Sequence, residues 1–342
     1  MGTITDVARI AGVSIATVSH VVNGTKNVSP VTRQRVESAI ATVQYVPNVG
    51  AQSLRNGRTR SIGLVASDIT QYFFGQLIAE VERLARDNGQ TVLVANSSED
   101  ADRERRVVQD LLNRRPDGMI IAPVASSDGR VIELCTTASC PVVLVDRIRE
   151  PSHDQIGIDN RSAMAALTQH LLACGHRRIA LLAGDTSVWT LRERIAGFTA
   201  MMERAQIPPA EYTIVHTPAG LHDGEAEMST LLRSANRPTA VIAASATLTV
   251  GAMHAFAKAR LRFPVDVAFA SFDGALNSEF FEASLTSVIQ PVSTIGAEAV
   301  RLLLQRVKRP DVAPVTLTQK AVLQHGVSCG CGGRIPLTVL DQ

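Results

Sequence analysis

The sequence predicts an α/β protein: a small all-α N-terminal segment with a helix-turn-helix pattern, followed by two doubly wound parallel α/β lobes. Three observations carry this. Two short helical patterns meet at a glycine between Thr3 and Gly24. From Ser61 onward, short apolar runs alternate with stretches of helical periodicity. That alternation comes in two successive sets, and a chain of 342 residues is too long for one small core.

Thr3 can cap a first helix, with Asp6 three residues on in the capping-box position. Ile4, Val7, Ala8 and Ala11 then fall at i, i+3, i+4, i+7 on one buried face. Gly12 supplies a tight turn that most residues resist. Ser14 caps a second helix in which Ile15, Val18, Val21 and Val22 recur, and Asn23-Gly24 ends it. The second helix of such a pair enters the DNA major groove N-terminus first. Its outward positions are Ile15, Ala16, Ser19 and His20, with Thr17 near the first turn.

Ser29 at N-cap and Pro30 at N1 start a third helix that runs to about Val43. Val36, Ala39, Ile40 and Val43 face the first two helices, and Arg33 and Arg35 are free to reach phosphates. Pro47 disfavours helical geometry at Val46 and breaks this helix. The following VGAQSLRNG is weakly helical, since Gly50 lowers its helicity by about 1 kcal/mol relative to Ala.

The strand-like runs are SIGLVAS, TVLVANS, GMIIAPV and PVVLVD, then RRIALLAG, YTIVH, TAVIAAS and DVAFASFD. Helical stretches such as FFGQLIAEVERLARDNG and RIAGFTAMMERAQ separate them, which argues for parallel sheets covered on both faces. Ligands of such folds sit beyond the C-terminal strand ends, so a cleft between lobes is the expected binding site. The expected division is residues 1–46 for the helical head, 47–60 for a hinge, 61–328 for the lobes and 329–342 for a flexible tail.

At 45% hydrophobic residues the composition is that of an ordinary globular protein. No run of 18 apolar residues and no apolar leader segment occur, so a cytoplasmic protein is expected. Residues 1–60 carry seven Lys/Arg against Asp6 and Glu37, a net of +5 that leaves −3 for the remainder of a +2 chain. A basic head on a mildly acidic body fits a polyanion held by the head alone. The five cysteines, Cys135, Cys140, Cys174, Cys329 and Cys331, suit reduced thiols. Cys329, Cys331 and His325 match no standard metal-ligand spacing, so no metal is expected there.

Through DVARIAGVSIATVSHVVNG, VSPVTRQRV and YVPNVGAQSL the sequence resembles the lactose-repressor family of bacterial transcription regulators, and the resemblance runs to about residue 325. It implies two lobes like those of periplasmic sugar-binding proteins. It places DNA contacts at Thr3, Ser14, Ile15, Ala16, Thr17 and Ser19. His20, Asn23, Thr32, Arg33 and Tyr45 continue the set in the head. Asn48, Ala51 and Leu54 fall at the spacing of the family's hinge helix. There Leu54 would be the apolar wedge in the minor groove, with Ala51 packing on its dimer mate. Where the family usually carries an arginine that grips guanine, this sequence has His20, which can donate one bond at most.

The same resemblance assigns effector contacts to Gln71, Tyr72 and Phe73 after the first strand, and to Asp146 and Arg147 after the fourth. Arg194, three residues before Gly197, would clamp hydroxyls or a carboxylate, and Asp273 ends a strand of the second lobe. Phe74 reads as core at a helix start. Ser245-Ala246 stands where the family commonly has Asn-Asp, and Ala219 where it often has an aromatic; Trp189 could restore the lost stacking face. The tail has no leucine heptad, so a dimer is expected.

No Walker A, GxGxxG, CxxC or HExxH pattern occurs, which speaks against an enzyme, and no cofactor is implied. A solute-binding protein would share the lobes but have no use for residues 1–60. The expectation is therefore a DNA-binding regulator, most simply a repressor. It would bind a palindromic operator as a dimer under control of a sugar or sugar derivative, with a nucleoside or purine as the alternative ligand.

Overall fold

The computed structural model describes residues 2–23, 26–45, 58–148, 151–218, 220–274, 284–332 and 338–340. The chain divides into two compact units, Met1–Thr59 and Arg60–Gln342.

In the first unit, α1 (Ile4–Ala11), α2 (Ile15–Asn23) and α3 (Pro30–Val43) enclose a small core of Val7, Ala11, Val18, Val21, Val36 and Ala39. The caps are reciprocal. The Asp6 N–H donates to Thr3 Oγ1 at 3.3 Å while the Thr3 N–H donates to Asp6 Oδ2 at 3.0 Å. These bonds hold the Asp6 carboxyl below its ordinary range. Gly12 turns the chain at φ 62°, a conformation that favours glycine. A Cβ there would also lie 2.7 Å from the Arg35 guanidinium.

The second unit holds two sheets. In the first, β1 (Ser61–Ala66), β2 (Thr91–Asn96), β3 (Gly118–Ile121), β4 (Val142–Val145), β5 (Asp154–Ile158) and β11 (Thr316–Gln319) are all parallel, in the order β2-β1-β3-β4-β5-β11. In the second, β6 (Ile179–Leu182), β7 (Thr213–Val215), β8 (Ala240–Ala243), β9 (Ala268–Phe272) and β10 (Thr286–Ile289) run parallel. Two antiparallel strands, β12 (Val322–Gln324) and β13 (Thr338–Val339), extend it to the order β7-β6-β8-β9-β10-β12-β13. Central strands such as β3, β4 and β8 are buried on both faces, which is why they read as unbroken apolar runs.

Helices cover the sheets: α4 (Tyr72–Asp87), α5 (Ala101–Asn113) and α6 (Arg130–Thr137) on the first, and α7 (Asn160–Ala173), α8 (Trp189–Arg204), α9 (Leu221–Arg233) and α10 (Ala246–Ala259) on the second. The last helix, α11 (Val292–Lys308), returns to the first lobe and buries Ile295, Ala299 and Leu303 against α4 and the β3–β5 strands. The chain therefore passes between lobes three times: after β5, after β10 and after β11.

Two expectations are corrected. Within the segment expected to be a flexible tail, the described residues 329–332 and 338–340 have fixed partners. Cys329 is buried, β13 pairs with β12, and the Leu340 N–H donates to Ala321 O at 3.1 Å, because the edge of β12 offers backbone groups that a further strand satisfies. The cysteines are not all free thiols either: Cys174, capping α7, is joined to Cys331 by a disulfide, since the tail folds back onto that helix end. Cys135, Cys140 and Cys329 are free.

Candidate functional site

Between the lobes lies a cavity of about 80 Å³. The first lobe lines it with Gln71, Phe73, Phe74, Glu99, Asp146 and Arg147. The second contributes, among others, Thr190, Arg194, Ser245, Asp273 and Gln290. These residues sit at the C-terminal ends of strands and the starts of the helices that follow, the usual ligand position in open α/β sheets.

Arg194 is the most constrained of them. It is buried on the second turn of α8. Its Nε donates to Asn160 Oδ1 at 2.8 Å, one amino group donates to Ala244 O at 2.7 Å and the other to Asp273 Oδ2 at 3.4 Å. Its guanidinium carbon lies 3.6 Å over the Phe272 ring. Gln290 Nε2 donates to the same Asp273 oxygen at 2.8 Å. Asn160 follows the first passage between lobes and Gln290 precedes the second, so Arg194 and Asp273 tie both connecting segments to the cavity wall.

On the facing lobe, Arg147 forms an ion pair with Glu99 at 2.5 Å and lies 3.7 Å from Asp146; it also donates to Pro123 O. Burial raises the carboxyls of Asp146, to about 6, and of Asp273, while nearby arginines oppose the shift. Burial likewise lowers the Arg194 guanidinium. Arg147 Nε and Gln290 Oε1 are buried without a hydrogen-bond partner among the described residues. Polar groups left so in a cavity wall suit a polar ligand.

Of the expected effector residues, Gln71, Phe73, Asp146, Arg147, Arg194, Ser245 and Asp273 line the cavity, and Tyr72 and Trp189 do not. Tyr72 is exposed, and its hydroxyl accepts from Gln76 Nε2 at 2.7 Å along α4. Trp189 starts α8, where its neighbours Val188 and Thr190 take the cavity-facing positions. Phe74, read as core, is buried and also lines the cavity, edge to face with Phe73. Ser245 caps α10 through the Leu248 N–H at 3.3 Å. Ala219 lies outside the described residues.

Glu99, Thr190 and Gln290 escaped sequence reasoning. Glu99 sits in a polar loop whose composition marks only a turn. Gln290 sits between β10 and α11, where only the return of the chain to the first lobe reveals a wall position. A larger cavity of about 540 Å³ opens on the outer side of the first lobe between Leu84, Val300 and Leu304. Its wall also carries Asn88, Arg301, Gln305, Lys308 and Arg309.

In the head, Ile15 (48% exposed) and Ala16 face solvent from the first turn of α2. The Ser14 hydroxyl accepts from the Thr17 N–H at 3.1 Å and meets the Thr17 hydroxyl at 2.9 Å. Ser29 and Thr32 repeat this arrangement at α3, at 3.3 and 2.9 Å. Thr3 caps α1; Ser19 and His20 are half-buried on α2, and Asn23 ends that helix. Arg33 stands on the first turn of α3, and Tyr45 packs against the head's core. An Arg35 amino group donates to Ala11 O at 2.5 Å and closes the end of α1. Asn48, Ala51 and Leu54 lie outside the described residues.

Residues 3–48 match the bacterial regulatory proteins of the lacI family, and residues 59–325 match the periplasmic binding proteins and sugar binding domain of the LacI family. The chain is 34% identical to the HTH-type transcriptional regulator DegA of Bacillus subtilis, over 95% of this chain and 98% of that one. It is 31% identical to the ribose operon repressor of Haemophilus influenzae, over 91% and 93%. Among solved structures it resembles the lac repressor dimer bound to operator and the anti-inducer ONPF. That match has a TM-score of 0.82 at 28% identity and covers 99% of this chain and 98% of that one.

Proposed function

This chain belongs to the LacI family of DNA-binding transcriptional repressors, and from that premise we propose that its effector is a neutral polyhydroxylated molecule, a sugar or sugar derivative, held between the lobes. The observation that carries this is the charge of the cavity wall. Glu99, Asp146 and Asp273 face Arg147 and Arg194, three carboxylates against two guanidiniums. Each arginine already has its own carboxylate, Arg147 with Glu99 and Arg194 with Asp273. A phosphate or sugar acid would meet a wall with no cation to spare. Hydroxyls can donate to Asp146 and Asp273 and accept from Arg147, Arg194 and Gln71. The ribose operon repressor among the relatives points the same way.

The cavity, at about 80 Å³, is smaller than the roughly 300–1,000 Å³ of ordinary ligand pockets. A sugar enters when the lobes part, and it settles against residues bonded to both connecting segments, Asn160 and Gln290. Its binding energy thereby biases lobe angle. A coupling of about 1–3 kcal/mol is enough to alter operator affinity. The head reads DNA through the solvent-facing first turn of α2, in a dimer on a palindromic operator whose hinge residues include Asn48, Ala51 and Leu54.

The test is a thermal-shift screen against neutral sugars, sugar acids, sugar phosphates and nucleosides, followed by operator binding with each hit. A ligand at about 100 times its Kd stabilises the fold by roughly 2.7 kcal/mol. Neutral sugars should give the shift. A response confined to anions or nucleosides overturns the charge argument.

A further inference from the structure

The end of α7 and the C-terminal segment bring four ligating side chains together away from the effector cavity. His170 and Cys174 are one helical turn apart on one face of α7. Cys329 and Cys331 flank Gly330, whose φ of 77° turns the chain so that both sulfurs face that helix end. One ligand atom from each of the four lies within 4.8 Å of all the others. His170 Nε2 stands 3.3 Å from Cys331 Sγ and 3.7 Å from Cys174 Sγ, and the Cys329 and Cys331 sulfurs are 2.8 Å apart. We propose that His170, Cys174, Cys329 and Cys331 form a closed Cys3His site for one zinc-class divalent cation in the reduced protein.

The ligand chemistry selects the metal. Three thiolates and one imidazole suit a soft-to-borderline d10 ion in tetrahedral geometry and fit neither magnesium nor calcium. With bonds of roughly 2.3 Å to sulfur and 2.0 Å to nitrogen, ligand atoms around such an ion stand about 3.4–3.8 Å apart. The two His170 contacts nearly span that range already. The Cys329–Cys331 pair opens by about 1 Å to reach it.

The surroundings are arranged for the role. His176 bonds Cys329 O at 3.1 Å through Nε2 and Thr239 Oγ1 at 3.2 Å through Nδ1, fixing the backbone between the two tail cysteines. The His325 ring meets His170 edge to face at 4.6 Å between centroids.

The disulfide between Cys174 and Cys331 is the oxidised alternative of the same four residues. A dithiol reductant opens it: two electrons and two protons pass to the protein sulfurs, and the reductant leaves as its own disulfide. Binding M²⁺ then releases three thiol protons and leaves three thiolates and a neutral imidazole on the ion, a centre of net charge −1. A protein that meets DNA in a thiol-reducing compartment spends its working life in this form. The bound ion fastens the tail, and with it β13, to α7.

The full chain, reduced with a phosphine under anaerobic conditions and given Zn²⁺, should retain about one equivalent per chain through gel filtration. Co²⁺ in its place should give thiolate-to-metal charge transfer and the intense visible bands of a tetrahedral site. Cys174→Ser, Cys329→Ser and His170→Ala should each weaken Co²⁺ binding by at least about tenfold, while Cys140→Ser leaves it unchanged. Wild-type protein that retains no metal, or gives no charge-transfer band, overturns the site without recourse to any variant. Undiminished binding in Cys329→Ser, which spares both disulfide cysteines, overturns the four-ligand assignment.

Discussion

Asp146 and Asp273 occupy equivalent places in the two lobes. Each follows the last residue of a strand, each adopts a left-handed backbone at φ 70° and 60°, and each donates its N–H to a carbonyl of the neighbouring strand, Ile156 O at 3.0 Å and Val288 O at 2.9 Å. Aspartate is one of the few non-glycine residues that tolerate this conformation. The two lobes thus present a carboxylate to the shared cavity by the same device.

Asp146 should give the cavity a pH response. Its carboxyl titrates near 6 in the fold against 3.8 when unperturbed. An acid whose folded pKa is raised costs nothing below its unfolded value and carries its full burial penalty above the folded one. Stability relative to Asp146→Asn should therefore fall as pH rises from 3.8 to about 6. A ligand hydroxyl that donates to the carboxylate binds the ionised form, so effector affinity should fall as pH drops through that same region. Calorimetric titration of both proteins from pH 5 to 8 checks it, and an equal inflection in Asp146→Asn would remove Asp146 from the ligand contacts.

Arg194 and Asp273 should behave as one unit. Arg194→Met leaves Asp273 buried without its guanidinium and should cost about 3–5 kcal/mol. Adding Asp273→Asn should recover part of that loss, because the stranded charge is gone. Urea unfolding of both variants measures the difference. Effector affinity should be lost in both.

Glycines on two helices should respond oppositely to alanine. At Gly197 on α8 a Cβ would lie 2.1 Å from Arg161 O, a backbone atom of α7 that cannot yield cheaply, so Gly197→Ala should destabilise by about 1–3 kcal/mol. At Gly75 on α4 nothing lies within 4 Å, and Gly75→Ala should stabilise by about 0.5–1 kcal/mol. Paired thermal melts decide.

Salt dependence should separate the two arginines of α3. If Arg33 meets a phosphate, Arg33→Ala lowers the slope of log K against log salt by about 0.9. Arg35 is engaged at Ala11 O. Its replacement should weaken the head by about 1 kcal/mol and leave the slope unchanged.

Local pattern was enough for the head. Capping residues, a turn glycine and apolar spacing are signals within a few residues of one another, and Thr3, Gly12 and Ser29 each do in the structure what their chemistry dictates. The same holds for eight of the strands: six of them, β1, β3, β4, β6, β8 and β9, are buried along nearly their whole length, which writes an unbroken apolar run, while β2 and β7 are part-exposed edge strands. Strand-end aspartates could also be picked out, since a carboxylate directly after such a run is conspicuous.

Tertiary structure decided what depends on contacts distant in sequence. The return of α11 and β11 to the first lobe leaves no local mark, and it is what makes Gln290 a wall residue beside Asp273. Trp189 and Thr190 are adjacent in sequence, yet helix phase alone gives the cavity to one and not the other. The tail reads as flexible in sequence because glycine-rich composition reports only backbone freedom. Pairing with the open edge of β12 and the meeting of Cys331 with Cys174, 157 residues away, set its place. Composition and periodicity act over one or two turns of chain; which side chains share a cavity or a metal is fixed only when the sheets and helices pack.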